Sequence, residues 1–170
     1  MDAALFTAAA TSASPSITSM RNIVPSRAVY LSPTPFSSHL IPNTSFPPPL
    51  VYIDTTQGAV VALYVLGPQL AGHPNILHGG ASAALVDEVM GRAAVERLPA
   101  RKVAVTVTLE VTYKAPVLLD AEGGWGVVAI CAHVQTAAGR VAQVVGSVEN
   151  VKTGQKLVEA RGTFVEPRGL

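Results

Sequence analysis

Hydrophobic and polar residues alternate most regularly between residues 103 and 113. Val, Leu and Tyr occupy the odd positions of this stretch, and Ala, Thr and Glu occupy the even ones. A period of two predicts a β-strand with one packed face and one face exposed to solvent. Shorter runs that are rich in β-branched residues predict further strands at residues 51–54, 59–66, 125–134, 141–149 and 155–165.

A helical period replaces the alternation between residues 80 and 98, and Pro99 ends it. Ala, Leu, Val and Met dominate this segment, which makes it too apolar for a helix on the protein surface. We therefore expect a buried helix. Glu88, Arg92 and Glu96 are spaced four residues apart, and we expect them to form one charged stripe on its solvent side.

Asp87 lies about 100° around the helix from Glu88, so we expect it to face small and apolar residues. A charge that is buried without partners is costly, which makes this carboxylate a candidate for chemistry. An aspartate that braces a neighbouring loop explains the pattern equally well.

Two glycines, Gly79 and Gly80, stand where the helix starts. Inside a helix each would cost about 1 kcal/mol relative to alanine. At the N-terminus they instead leave backbone N–H groups uncovered and let a ligand approach closely. Because a helix N-terminus is partly positive, these N–H groups are suited to stabilise an oxyanion.

The order of the elements indicates the fold class. Consecutive strands after the helix, with Gly139 and Gly154 at turns, predict hairpins and therefore an antiparallel sheet. One long apolar helix has to pack on that sheet. We expect an α+β protein whose antiparallel sheet wraps around one long helix, with residues 69–77 as a loop that leads to the helix.

Composition narrows the classes of function. Only 14% of the 170 residues are charged and the net charge is +1, which leaves no basic surface for nucleic acid. The single cysteine, Cys131, excludes an intrachain disulfide, and no group of His, Asp, Glu and Cys has metal-ligand spacing. No apolar run reaches the ~20 residues that a membrane span needs. We expect an intracellular protein without a membrane span or a metal.

The start of the chain differs from the rest. Residues 1–50 hold eight of the thirteen prolines and no glycine, and they show little periodicity. We interpret residues 1–49 as a flexible extension rich in Pro, Ser and Ala, and residues 50–170 as one domain. Residues 1–27 contain one acidic residue and two arginines, which loosely suits a transit peptide, although a disordered tail is the simpler interpretation. The expected location is the cytoplasm or the mitochondrion.

Three motifs occur together in this chain. They are His78-Gly79-Gly80, then Asp87 nine residues after the histidine, and then the strand and loop of residues 106–116. The combination resembles the hotdog-fold acyl-CoA thioesterases, and among them the PaaI-like branch of thioesterase superfamily members. The resemblance covers about residues 50–166. It implies the hotdog fold and a homodimer or a dimer of dimers, with active sites at the subunit interface.

The resemblance also implies roles for three residues. Gly79 supplies the backbone N–H that polarises the thioester carbonyl, and Asp87 acts as general base on water or as nucleophile. Thr106 matches a Ser/Thr position that orients the attacking water or the carboxylate, and it lies on the polar side of the alternating strand. The implied substrate is an acyl-CoA or acyl-carrier thioester, and no cofactor is expected.

Substrate contacts are assigned to the neighbours of these residues. The candidates are His78, Gly80, Asn75 and His73. His78 either fixes the loop or contacts the substrate. Some relatives carry Asn or Gln six residues before this histidine, where this chain has Gly72, so His73 or Asn75 is expected to take over that role.

Two other functions remain open. The first is a hotdog-fold hydratase or dehydratase, which residues 74–78 weakly resemble. That family has an aspartate five residues before its histidine, where this chain has His73. The second is a non-catalytic acyl-CoA-binding protein, which would tolerate loss of the acid, whereas Asp87 and Thr106 are both present. Assaying a panel of acyl-CoAs for hydrolysis separates a binder from an enzyme.

Overall fold

The computed structural model describes residues 28–30, 49–55, 57–100 and 103–168, the first of these ranges by its backbone alone. The predicted transit peptide at residues 1–27 and most of the predicted extension lie outside the described residues.

The described part of the chain contains one α-helix, α1 (Gly79–Arg97). It ends before Leu98, whose backbone is extended at ψ 148°, because a residue that precedes proline disfavours helical geometry. The prediction of a buried helix is confirmed. The buried apolar residues of α1 are Leu85, Val86, Val89, Met90, Ala93, Ala94 and Val95.

Nine strands accompany the helix in the described residues. They are β1 (Ala28–Tyr30), β2 (Leu50–Asp54), β3 (Ala59–Leu66), β4 (Ala71–His73), β5 (Ile76–Leu77), β6 (Val105–Tyr113), β7 (Gly126–Ala138), β8 (Val141–Asn150) and β9 (Lys156–Val165). Seven form one antiparallel sheet in the order β1-β2-β3-β7-β8-β9-β6, and β4 and β5 form a separate pair. Strand β6 is therefore an edge strand, paired on one side with β9.

One face of the large sheet packs against α1. Ile130 of β7, Val144 of β8 and Phe164 of β9 belong to this core and are almost completely buried. The sheet wraps around the helix, with β3, β6, β7, β8 and β9 all in contact with it. The predicted α+β class and the hotdog architecture are confirmed.

The prediction that the charged stripe of α1 faces solvent is wrong at Glu96. Its exposure is only 7%, and it forms an ion pair with Arg92, with Nη2 and Oε1 2.6 Å apart. The physical reason is that the sheet covers more of the helix than one face, because β3 also packs against it.

Tyr64 on β3 is buried as well. Burial, with a smaller contribution from the charge of Glu88, raises the pKa of its hydroxyl.

Three short strands have no counterpart in the predicted elements. Strands β4 and β5 lie where a loop was expected, joined by a tight turn in which Asn75 has a φ of 59°. Strand β1 falls within the predicted extension and pairs with β2, with Tyr30 opposite Leu50. Two or three residues are too few to show a period of two. The boundary between the extension and the domain at residue 49 stays a prediction.

Candidate active site

Asp87 and Thr106 form a hydrogen-bonded pair between α1 and β6. The Thr106 hydroxyl donates to the Asp87 carboxylate, at 2.9 Å from Oδ1 and 3.2 Å from Oδ2. Asp87 is half-buried and Thr106 is exposed. A carboxylate has about four acceptor positions, so this pairing fixes the carboxylate and leaves it able to bind a water molecule.

A β-bulge in β6 decides which way Thr106 points. Thr106 pairs with Phe164 and Thr108 pairs with Thr163, so Val107 is an extra residue in the ladder. Along a regular strand, side chains point to alternate faces of the sheet, and the extra residue shifts this alternation by one position. Thr106 therefore faces the helix, as Leu109, Val111 and Tyr113 do, whose partners on β9 are Gly162, Ala160 and Val158. The prediction that Thr106 lies on the polar face is wrong for this reason.

His78 caps the start of α1. Its Nδ1 accepts a hydrogen bond from the Gly80 N–H at 3.0 Å, which satisfies one of the free donors of the first turn. The ring lies so close that a Cβ atom at Gly80 would be 3.0 Å from its Cε1, and one at Gly72 would be 2.9 Å from its Cδ2. Both glycines therefore make room for the His78 ring. Gly72 thus lies where the ring leaves no space for a larger residue.

Gly79 presents a free donor at the start of the helix. Its N–H has no hydrogen-bond partner among the described residues. A Cβ atom at Gly79 would meet the Tyr113 ring at 3.5 Å, an ordinary van der Waals contact, so the packing of the chain does not itself require glycine here. A glycine at this position is suited to a ligand that approaches the backbone closely.

Tyr113, at the end of β6, holds the same residue from the other side. Its hydroxyl donates to the Gly79 carbonyl oxygen at 2.8 Å. The bulge explains how one strand reaches both groups, since it puts Thr106 and Tyr113 on the same side of β6. Sequence reasoning did not single out Tyr113 as a functional residue.

Within one chain, Gly79 and Asp87 are too far apart to act on one carbonyl group. They are separated by eight helical residues, which is about 12 Å along the axis. An oxyanion donor and a water held by a general base each lie about 3 Å from the reacting atoms. Gly79 and Asp87 of one chain therefore cannot complete a single site together.

A cavity of about 370 Å³ opens beside Gly79. Its lining residues are Ile76, Leu77, Gly79, Ser82, Tyr113, Lys114, Ala115, Pro116 and Val117. Most of the lining is apolar. The Ser82 hydroxyl is buried and has no hydrogen-bond partner in the part of the chain that the structure describes. The Lys114 ammonium forms an ion pair with Glu159 at 3.2 Å. Neither residue was singled out from the sequence, where a serine inside an apolar helix carries no distinctive signal.

His73 ends strand β4, and Asn75 lies in the turn between β4 and β5. Both side chains are exposed, and neither forms a hydrogen bond to Gly79 or Gly80. The Asn75 carbonyl accepts from the Leu119 N–H at 2.8 Å, so the backbone of this residue braces the neighbouring loop. A role for either side chain in substrate binding stays a prediction.

Other titratable groups lie elsewhere. Cys131 is buried on the face of the sheet opposite α1, where burial, and to a lesser extent Glu149, raises its pKa and keeps the thiol protonated. Among the described residues, no three His, Cys, Asp or Glu side chains are grouped so that they could hold a metal ion. No helix among the described residues, α1 included, is long and apolar enough to cross a membrane.

Known proteins resemble this chain in sequence and structure. A family model described as thioesterase superfamily matches residues 74–156. The acyl-coenzyme A thioesterase THEM4 of Mus musculus is 28% identical over 116 residues, which are 68% of this chain and 46% of that protein. The uncharacterised mitochondrial membrane protein FMP10 of Saccharomyces cerevisiae is 34% identical over 74 residues, 43% of this chain and 30% of that protein. The chain thus spans less than half the length of either relative.

A solved structure is also similar to this chain. Protein BH2602 from Bacillus halodurans, crystallised with CoA, has a TM-score of 0.55 and 25% identity to this chain. The similarity covers 65% of this chain and 69% of that one.

Proposed function

We propose that this hotdog-fold chain acts as a member of the thioesterase superfamily and hydrolyses acyl-CoA or acyl-carrier thioesters to a free acid and a thiol. The observation that carries the proposal is the hydrogen-bonded pair of Asp87 and Thr106. A carboxylate fixed by a hydroxyl and still open to water has the arrangement of a general base.

The proposed reaction needs two groups of the protein. The Asp87 carboxylate takes a proton from water, whose oxygen attacks the thioester carbonyl carbon. The carbonyl oxygen becomes an oxyanion and accepts the Gly79 N–H at the partly positive start of α1. When the oxyanion collapses, the C–S bond breaks and the thiolate takes the proton from Asp87. Direct attack by the Asp87 carboxylate, followed by hydrolysis of the anhydride, uses the same groups.

The proposed site is shared between two copies of the chain. Strand β6 is an edge strand with exposed valines, Val105 at 48% and Val107 at 60%, which suits it for pairing with a second strand. Antiparallel pairing of β6 with its copy brings the Tyr113 end of one strand beside the Thr106 end of the other. Gly79 of one copy then approaches Asp87 of the other. The proposed unit is a homodimer, alone or within a dimer of dimers.

Replacement of Asp87 by asparagine tests the proposed chemistry. Asp87→Asn keeps the shape but cannot take a proton, so kcat for acyl-CoA hydrolysis should fall ~10²-fold or more. The assay follows release of free CoA from a panel of acyl-CoAs. Asp120→Asn, the same change at an exposed aspartate, is the matched control and should retain full activity.

Two results would contradict the proposal. Near-normal turnover by a folded Asp87→Asn protein would remove Asp87 from the mechanism. Tight binding of acyl-CoA by the unmodified protein, without hydrolysis of any member of the panel, would identify a non-catalytic binder.

The proposed location is the mitochondrion. The motivating observations are the mitochondrial relative in Saccharomyces cerevisiae and the two arginines with one acidic residue in residues 1–27. Fusion of residues 1–45 to a fluorescent protein tests it, and a fusion that stays in the cytoplasm would reject it.

A further inference from the structure

We propose that Tyr113 is a positioning residue, whose hydroxyl holds the Gly79 peptide so that the Gly79 N–H points at the substrate oxygen. The catalytic meaning of this inference rests on the proposed thioester hydrolysis. The structural part stands on the hydrogen bond itself, which joins Tyr113 Oη and the Gly79 carbonyl oxygen at 2.8 Å.

The two glycines at the start of α1 do little to restrict the backbone there. Glycine has more backbone freedom than any other residue, and two of them occupy the first turn. The Gly80 N–H is already held by His78, whereas the Gly79 N–H is free. A donor that stabilises an oxyanion contributes fully only if it is aimed before the reaction begins.

The peptides on both sides of Gly79 are held by hydrogen bonds to groups outside the glycine pair. Before it, the His78 carbonyl accepts the Ser82 N–H at 3.0 Å. After it, the Gly79 carbonyl accepts the helical N–H of Ala83 and, in addition, the Tyr113 hydroxyl from outside the helix. Since φ and ψ of Gly79 are the rotations between these two peptides, the Tyr113 bond adds a further restriction on the direction of its N–H.

Tyr113 is suited to this role because the core does not depend on its hydroxyl. The residue is 52% exposed at the end of an edge strand. Water can therefore replace the hydroxyl at the Gly79 carbonyl, which limits the cost to folding. The ring contacts the Cβ position of Gly79 at 3.5 Å, so phenylalanine keeps the packing and removes only the hydrogen bond.

The effect belongs to kcat rather than KM. A loosened donor still allows substrate to bind, but it stabilises the developing oxyanion less well. Complete loss of one such donor costs about 10²–10³-fold in kcat, and misalignment costs part of that. Tyr113→Phe is expected to lower kcat about 10-fold, with KM changed less than about 2-fold.

Three controls separate positioning from other roles. The thermal midpoint of Tyr113→Phe should match that of the unmodified protein, which rules out general destabilisation. The pH profile of kcat should keep its shape, because a proton-donating tyrosine would lose one limb. Tyr52→Phe is the matched variant, since the Tyr52 hydroxyl has no hydrogen bond among the described residues, and it should leave kcat unchanged.

A second measurement does not depend on activity. Hydrogen exchange of the peptide segment 77–85 should be several-fold faster in Tyr113→Phe than in the unmodified protein or in Tyr52→Phe. Unchanged exchange would overturn the inference, and so would an unchanged kcat in an active protein. If the unmodified protein hydrolyses no thioester, the proposed function fails, and the exchange rates alone decide whether Tyr113 holds this peptide.

Discussion

Thr106 contributes a hydroxyl that neighbouring threonines of β6 do not duplicate. Thr108 and Thr112 pair with Thr163 and Glu159 on the outer side of the sheet, whereas Thr106 contacts Asp87. We expect Thr106→Val, which has nearly the same shape, to lower kcat about 10-fold because the carboxylate loses its fixed partner. Thr106→Ser keeps the hydroxyl and should remain within about 3-fold. Steady-state hydrolysis of one acyl-CoA measures both. Equal loss in both variants would show that the methyl group matters and not the hydroxyl.

His78 illustrates what could be predicted at the scale of single residues. The sequence identifies it through the motif, together with Gly79 and Gly80, but leaves its role open. Histidine is not among the residues that usually cap helices, so the bond from Gly80 to its Nδ1 had no signature in the sequence. Its dependence on Gly72, a close neighbour across the β4–β5 pair, arises only in three dimensions.

Strand β6 illustrates the same limit at the scale of an element. Its alternation correctly predicted a strand. The alternation continues through the bulge at Val107, so nothing in the sequence marks the place where the sides exchange. The central helix and the six longer strands were predictable because their periods extend over many residues, whereas β4 and β5 depend on contacts between segments.

The open edge of β6 provides a test at this scale. A lysine at the exposed Val107 would place a charge in the proposed contact between two copies of β6, where its desolvation is unfavourable. We expect Val107→Lys to be a folded monomer with ~10²-fold lower activity, because each chain keeps only half a site. Sedimentation measures the oligomeric state. Val127→Lys, at an exposed valine of β7, should change neither property. An active monomeric Val107→Lys protein would reject the shared site.

For the whole molecule, the separation of Gly79 and Asp87 predicts that two inactive variants restore each other. Gly79→Pro removes the N–H donor at a position where helices tolerate proline, and Asp87→Asn removes the acid. A mixed dimer has one site with both groups intact and one site with both lesions. Random reassortment makes about half of the dimers mixed, so roughly a quarter of the unmodified activity should return.

The return of activity on mixing the two variants needs a control for dimer exchange. Mass spectrometry of the intact assemblies verifies that mixed dimers form after joint refolding. If mixed dimers are present and the mixture stays as inactive as the separate variants, each site lies within one chain.

Strand β6 also limits how descendants of this protein can change. It holds Asp87 through Thr106 and Gly79 through Tyr113, and the number of residues between these contacts determines that both face the helix. Substitutions at the outward-facing Glu110 or Thr112 leave this arrangement intact. Loss or gain of one residue between Thr108 and Tyr113 turns one of the two contacts to the wrong side. Evolution can therefore alter positions such as Glu110 and Thr112 without disturbing these two contacts, whereas an insertion or deletion there must be compensated in the same strand before both contacts are restored.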